Sequence, residues 1–75
     1  MRINNLLHFF NLTEKKVQKI FDLTRSKNYV FTYINRDNGE IEIKTKTKQK
    51  LFLPSGNLRK NLKKAFKWIN EQTFR

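Results

Sequence analysis

Between Tyr29 and Thr47 the chain reads YVFTYINRDNGEIEIKTKT, and its polarity alternates with a period of two on both sides of Asp37-Asn38-Gly39. Successive side chains of an extended strand point to opposite faces, so the pattern predicts two strands. The central triplet tolerates the positive φ that a tight turn demands, and the segment reads as a β-hairpin. On its return strand Ile41, Ile43, Thr45 and Thr47 share one face, and Glu40, Glu42, Lys44, Lys46 and Lys48 share the other. Tyr29, Phe31 and Tyr33 alternate along the first strand. A basic sheet with aligned aromatics can stack single-stranded bases, but in a small domain most of such a row is expected in the core, and so is Trp68. Val30, Thr32 and Ile34 then look outward or toward the N-terminal helix, a face that a dimer contact could cover.

The flanks change to a helical period. In INNLLHFFN, Ile3, Leu6, Leu7 and Phe10 fall at i, i+3, i+4 and i+7, which predicts a helix of about two turns. A second helix is expected from Thr13, a good N-cap, with Glu14 in its first turn and Leu12 and Val17 placed as a hydrophobic staple. Its buried stripe is Val17, Ile20, Phe21 and Thr24, and it fades around RSKN. After the hairpin a short strand, KLFL, precedes the break at Pro54-Ser55-Gly56. The last element, NLRKNLKKAFKWINEQ, is an amphipathic helix capped by Ser55 or Asn57, with Leu58, Leu62, Ala65, Phe66 and Ile69 as its apolar stripe. Opposite that stripe Arg59, Lys60, Lys63, Lys64 and Lys67 form one basic face. The expected fold is a single small α+β domain over residues 1–75, ordered α-α-β-β-(β)-α.

Charge narrows the function. Seventeen Lys and Arg against six Asp and Glu give a formal net charge of +11 in 75 residues. Self-repulsion of that size is most readily relieved by phosphate, so nucleic acid is the first partner to consider, ahead of an anionic membrane surface or an acidic protein. There is no Cys and one His, so neither disulfides nor a zinc cluster reinforce the fold, and no cofactor is expected. Both glycines sit in breaks, which leaves no phosphate-binding loop, and nucleophile motifs are absent. Glu42 and Lys44 on one strand face, after Asp37, look like part of a metal-dependent nuclease set, but the Asp lies in the turn and a cross-strand surface charge pair is the simpler reading. A binder rather than an enzyme is expected. The start, MRINNLLHFFNL, lacks a cleavage signal and a long apolar run, so a cytoplasmic location without membrane contact is the expectation.

Two family resemblances follow from these residues. The segment Ile3 to Phe21 resembles a helix-turn-helix unit, with Leu6, Phe10, Leu12, Val17 and Ile20 as its internal core, Asn11 in the turn, and Leu7 where such units usually keep a small residue. Followed by a hairpin, it resembles small winged-helix and excisionase-type DNA-binding proteins. That resemblance implies duplex DNA as ligand, with Lys15, Lys16, Gln18, Lys19 and Asp22 exposed on a recognition helix and Gln18 placed to pair with an adenine edge.

From Leu12 onward the order helix, three strands, helix is similar to that of double-stranded-RNA-binding domains and of the small HicA-type toxins, and LPSGNLRKNLKKAF resembles the toxins' passage into a basic helix. This resemblance implies RNA as ligand, without the toxins' cleavage chemistry. The hairpin RDNGEIEI lacks their His, and His8 lies outside the matching segment in an apolar stretch. DNA is placed ahead of RNA, and the expected contacts are Lys15, Lys16, Gln18, Lys19, Lys44, Lys46, Lys48, Arg59, Lys60, Lys63, Lys64 and Lys67. A third class is a small phage-type inhibitor that covers the acidic groove of a nucleic-acid enzyme, with a protein partner or a second copy of the chain as its contact.

Overall fold

The structure, a computed structural model, describes the backbone of residues 2–72 and the side chains of residues 12–72. A helix, α1 (Arg2–Ser26), leads into three short strands, β1 (Phe31–Ile34), β2 (Ile41–Lys44) and β3 (Lys50–Leu53), and the chain closes on α2 (Leu58–Gln72). The fold is α+β with the order α-β-β-β-α. The sheet is antiparallel throughout, in the order β1-β2-β3. Both helices pack on one of its faces and against each other.

One expected boundary is corrected. The turn predicted at Asn11 and Leu12 is not formed, because α1 runs unbroken from Arg2 to Ser26 and joins the two predicted helices into one. Nothing in HFFNLTEKK stops a helix. It holds no Pro or Gly, and the modest propensity cost of Asn11 and Thr13 is outweighed by unbroken i to i−4 bonding. Thr13 is therefore a mid-helix residue rather than a cap. Leu12 is 41% exposed and does not act as a staple. The predicted stripe at Ile3, Leu6, Leu7 and Phe10, and His8, lie outside the described side chains.

Local chemistry explains each chain reversal. α1 ends where Asn28 takes φ 57°, with Tyr29 N–H donating to the Thr24 carbonyl (2.9 Å) and Asn28 N–H to the Arg25 carbonyl (3.0 Å). That is a Schellman ending, in which Asn serves as the left-handed residue. Between β1 and β2 the Asn35 side chain accepts from the N–H groups of Asp37 (2.9 Å) and Asn38 (3.2 Å), and Gly39, at φ 85°, brings the chain back. The loop is longer than a two-residue turn, and only Gly39 of the triplet has a positive φ. Asn57 caps α2 through its side-chain oxygen, which accepts from Lys60 N–H at 3.1 Å. This settles the open choice between Ser55 and Asn57.

The core is a single cluster: Val17 and Ile20 from α1, Ile34, Ile41 and Ile43 from the sheet, and Leu62, Ala65 and Ile69 from α2. Phe66 lies at its margin, half buried. The aromatic row of β1 is the second correction. Phe31 and Tyr33 stand on the solvent face at 42% and 40% exposure, while Thr32 and Ile34 face the helices. Strand register forces this. Phe31 sits opposite Lys44 and Tyr33 opposite Glu42, whereas Thr32 and Ile34 face Ile43 and Ile41. Directly paired residues share a face, so the buried isoleucines of β2 draw their partners inward and send the aromatics out. Only Tyr29, beyond the strand's start, turns to the core, its ring edge-on to Trp68 at 6.2 Å between centroids.

Candidate nucleic-acid interface

The predicted cations divide among the helical layer, the outer face of the sheet and the β2-β3 turn. Lys16 on α1 and Asn57, Arg59, Lys60 and Lys63 at the start of α2 line one cleft of about 260 Å³. Lys19 lies one turn further along α1, its amine 5.8 Å from the centre of the Phe66 ring. Helical periodicity produces this grouping. With Val17, Ile20, Leu62, Ala65 and Ile69 pinned to the sheet, residues 16 and 19 of α1 and 59, 63 and 66 of α2 flank the seam between the helices.

The first turn of α2 carries Arg59 and Lys60 and no acidic residue. Cations at a helix N-terminus oppose the macrodipole, which costs some tenths of a kcal/mol each, and a bound anion would reverse the sign of that term. Next to the cleft, the start of α2 is held by a buried polar joint. Asn61 donates from its amide nitrogen to the carbonyls of Gly39 (2.8 Å) and Pro54 (3.0 Å), and Gly56 N–H donates to the Asn38 carbonyl at 2.7 Å. Through these bonds the β1-β2 loop and the chain entering α2 are fixed to each other. Arg36 in the same loop closes on Glu14 of α1, at 2.9 and 2.7 Å to the two carboxylate oxygens.

Lys15, Lys64 and Lys67 are exposed on the same helical layer, outside the cleft lining. Gln18 is exposed as expected, but its amide donates to Asp22 at 3.1 Å. Lys44, Lys46 and Lys48 lie apart from that cleft. Lys44 pairs with Glu42 at 3.8 Å on the solvent face of the sheet, a pair within β2 where a cross-strand one is expected from the sequence. Lys46 and Lys48 lie in the β2-β3 turn, where Lys48 holds φ 69°. Two contributors escaped the sequence reading. Asn57 was visible only as a cap, and Lys50 becomes notable only when the register sets it directly opposite Lys44. Among the described residues no three His, Cys, Asp or Glu side chains gather as a metal site, and no helix is long and apolar enough to cross a membrane.

A separate cleft of about 370 Å³ lies at the other end of the helices, bordered by Lys27, Tyr29, Thr45, Lys46 and Gln72. The Tyr29 hydroxyl and Gln72 Oε1 are buried there without a hydrogen-bond partner among the described residues. Burial pushes the Tyr29 phenol above its ordinary pKa, since the phenolate is the form that loses hydration. Leaving a buried hydroxyl unpaired costs about 1–3 kcal/mol, so Tyr29→Phe is expected to stabilise the protein by about 1 kcal/mol and raise Tm by roughly 4–8 °C. With the folded pKa raised, stability falls as pH climbs from the unfolded value near ~10 toward the folded one, and Tyr29→Phe removes that part of the alkaline loss. Melting curves of both proteins between neutral and alkaline pH check this. Equal curves would mean that the hydroxyl is satisfied.

Comparison with protein-family models, with curated proteins and with solved structures finds no match for this chain.

Proposed function

We propose that this protein binds duplex nucleic acid by its backbone, with the cleft between the middle of α1 and the N-terminal part of α2 as the phosphate site. The observation that carries the reading is the gathering of Lys16, Arg59, Lys60 and Lys63 around the capped start of α2, in a chain of net charge +11. Phosphate contacts of this kind hold a duplex in place without reading its sequence.

The helical layer also bears on which duplex. Two helices side by side, at an interaxial distance of about 8–10 Å and each about 10–12 Å across, make a layer about 20 Å wide. A B-form major groove is about 12 Å wide and admits one helix. Gln18, tied to Asp22 on this layer, is poorly placed to read an adenine. A broad layer with basic flanks suits the wide, shallow minor groove of an A-form helix and the phosphates beside it, so duplex RNA is the favoured ligand. The element order α-β-β-β-α, which resembles that of double-stranded-RNA-binding domains, supports the same reading. The helix-turn-helix alternative loses the turn it needs, because α1 is continuous.

The test is a competition between duplex RNA and duplex DNA of the same length at matched salt. RNA is expected to displace DNA, and Gln18→Ala to change neither affinity. With about five phosphates neutralised, the DNA complex should weaken with a log-log salt slope near −4 to −5. Reversing two charges, Lys60→Glu with Lys63→Glu, should lower affinity for every duplex by roughly tenfold or more, because contacts to phosphate are common to all sequences. A salt-independent complex, or a Gln18→Ala loss confined to one DNA sequence, would overturn the proposal.

A further inference from the structure

The sheet face turned away from the helices carries three large rings in water. Phe31 and Tyr33 on β1 are joined by Phe52 on β3, at 50% exposure. A domain with so small a core leaves aromatic area unburied at a cost, since each ring would stabilise it more inside. The register arranges this face in two rows. Tyr33, Glu42 and Phe52 lie side by side across the sheet, and Phe31, Lys44 and Lys50 form the next row. Phe31 and Tyr33 are two residues apart, about 6.6 Å along the strand, and Tyr33 and Phe52 are separated by two strand spacings, about 9–10 Å.

The charges around the rings point to one kind of occupant. Lys44 and Lys50 are directly opposed on neighbouring strands, an arrangement that like charges disfavour. Glu42, at 3.8 Å, offsets one of them. The Lys44 amine stands 5.3 Å from the Phe31 ring centre, and the Tyr33 hydroxyl accepts from the Asn35 amide at 3.2 Å, which fixes that ring's outer end. Exposed rings held on a rigid sheet, with an under-compensated pair of ammonium groups among them, match a ligand that has flat apolar faces and a polyanionic chain.

We propose that this face is a single-strand platform, on which unpaired bases stack against Phe31, Tyr33 and Phe52 while Lys44 and Lys50 hold the phosphates. Stacking uses the face of a base and not its edge, so the platform takes strands of any sequence, and ribo- and deoxyribo-strands alike. The site lies across the sheet from the helical cleft and does not depend on the duplex reading. Together they would let one small protein hold a junction between duplex and single strand.

The test uses the full chain and labelled 12-residue oligouridine and oligothymidine, with an abasic strand of equal length as the phosphate-only control. The base-bearing strands should bind more tightly than the abasic one. Phe31→Ala and Phe52→Ala should each weaken them by roughly 5- to 150-fold, with unchanged melting and unchanged duplex affinity, and Phe52→Tyr should restore binding. Charge reversal at Lys60 and Lys63 should leave the gap between base-bearing and abasic strands intact, which separates failure of this proposal from failure of the duplex reading. Equal binding of abasic and base-bearing strands would overturn the platform. So would wild-type affinity in both alanine variants, or a protein dimer that Phe52→Ala dissolves without any effect on the strands.

Discussion

Replacing Leu62 by Ala should cost about 3–5 kcal/mol and leave much of the protein unfolded near 37 °C. Leu62 is fully buried at the centre of the cluster formed by Val17, Ile20, Ile41, Ile43, Ala65 and Ile69. Truncating a buried Leu removes its transfer energy and leaves a cavity that a close-packed interior only partly fills. A chain of 75 residues has roughly 4–11 kcal/mol to lose at typical stability per residue. Phe66, larger but half buried beneath the Lys19 amine, should cost less when truncated, and Lys64→Ala should stay within about 0.5 kcal/mol. Urea titrations of the three variants give the ranking. If Phe66→Ala proves worse than Leu62→Ala, α2 is rotated relative to the packing described.

A second large effect is expected at Gly39, far from the hydrophobic centre. Its φ of 85° is open to glycine and costs an alanine about 1–2 kcal/mol. The added Cβ would also run into the carbonyl oxygen of Gly56 and stand 3.1 Å from the Leu58 nitrogen. Both obstacles are backbone, so relief requires moving the loop that enters α2, at an overpacking cost of about 1–3 kcal/mol. Gly39→Ala should therefore lower stability by about 2–5 kcal/mol. It should also weaken duplex binding in the folded fraction, because the same loop positions Asn57, Arg59 and Lys60. Circular dichroism melts, with duplex affinity measured well below the transition, test both parts. A variant as stable as the wild type would rule out the close approach of Gly39 and Gly56.

The link between these positions and the cleft explains why part of the cleft lining is legible in the sequence. Arg59, Lys60 and Lys63 recur at helical spacing opposite a clear apolar stripe, so their common surface was legible in the sequence. Lys16 was legible as exposed, but its place beside them was not, since that depends on how α1 and α2 are set on the sheet. Asn61 shows the opposite limit. It is a polar residue at the edge of the apolar stripe, and only the approach of the Gly39 and Pro54 carbonyls gives its buried amide a role.

The errors have equally local causes. Asn11, Leu12 and Thr13 carry turn and cap chemistry that is also compatible with the inside of a helix, and a continuous hydrogen-bond ladder prevails over a weak cap. Ring size favours the core for the aromatic row, because rings bury the most area. Alternation along β1 divides its residues into two sets without saying which set faces in.

The sequence by itself determined the element types, the hairpin, the two faces of each strand of that hairpin, the basic surface of α2 and the net charge of +11, because each rests on spacing within one segment or on summed charge. The tertiary structure alone decided that α1 is one helix, that Lys16 joins the α2 cations, that Asn61 ties two loops together, and that Phe31, Tyr33 and Phe52 share a wet face with Lys44 and Lys50. Those outcomes depend on register and on helix placement. Both are set by which apolar sets of different segments bury one another, a competition that no single segment's pattern contains.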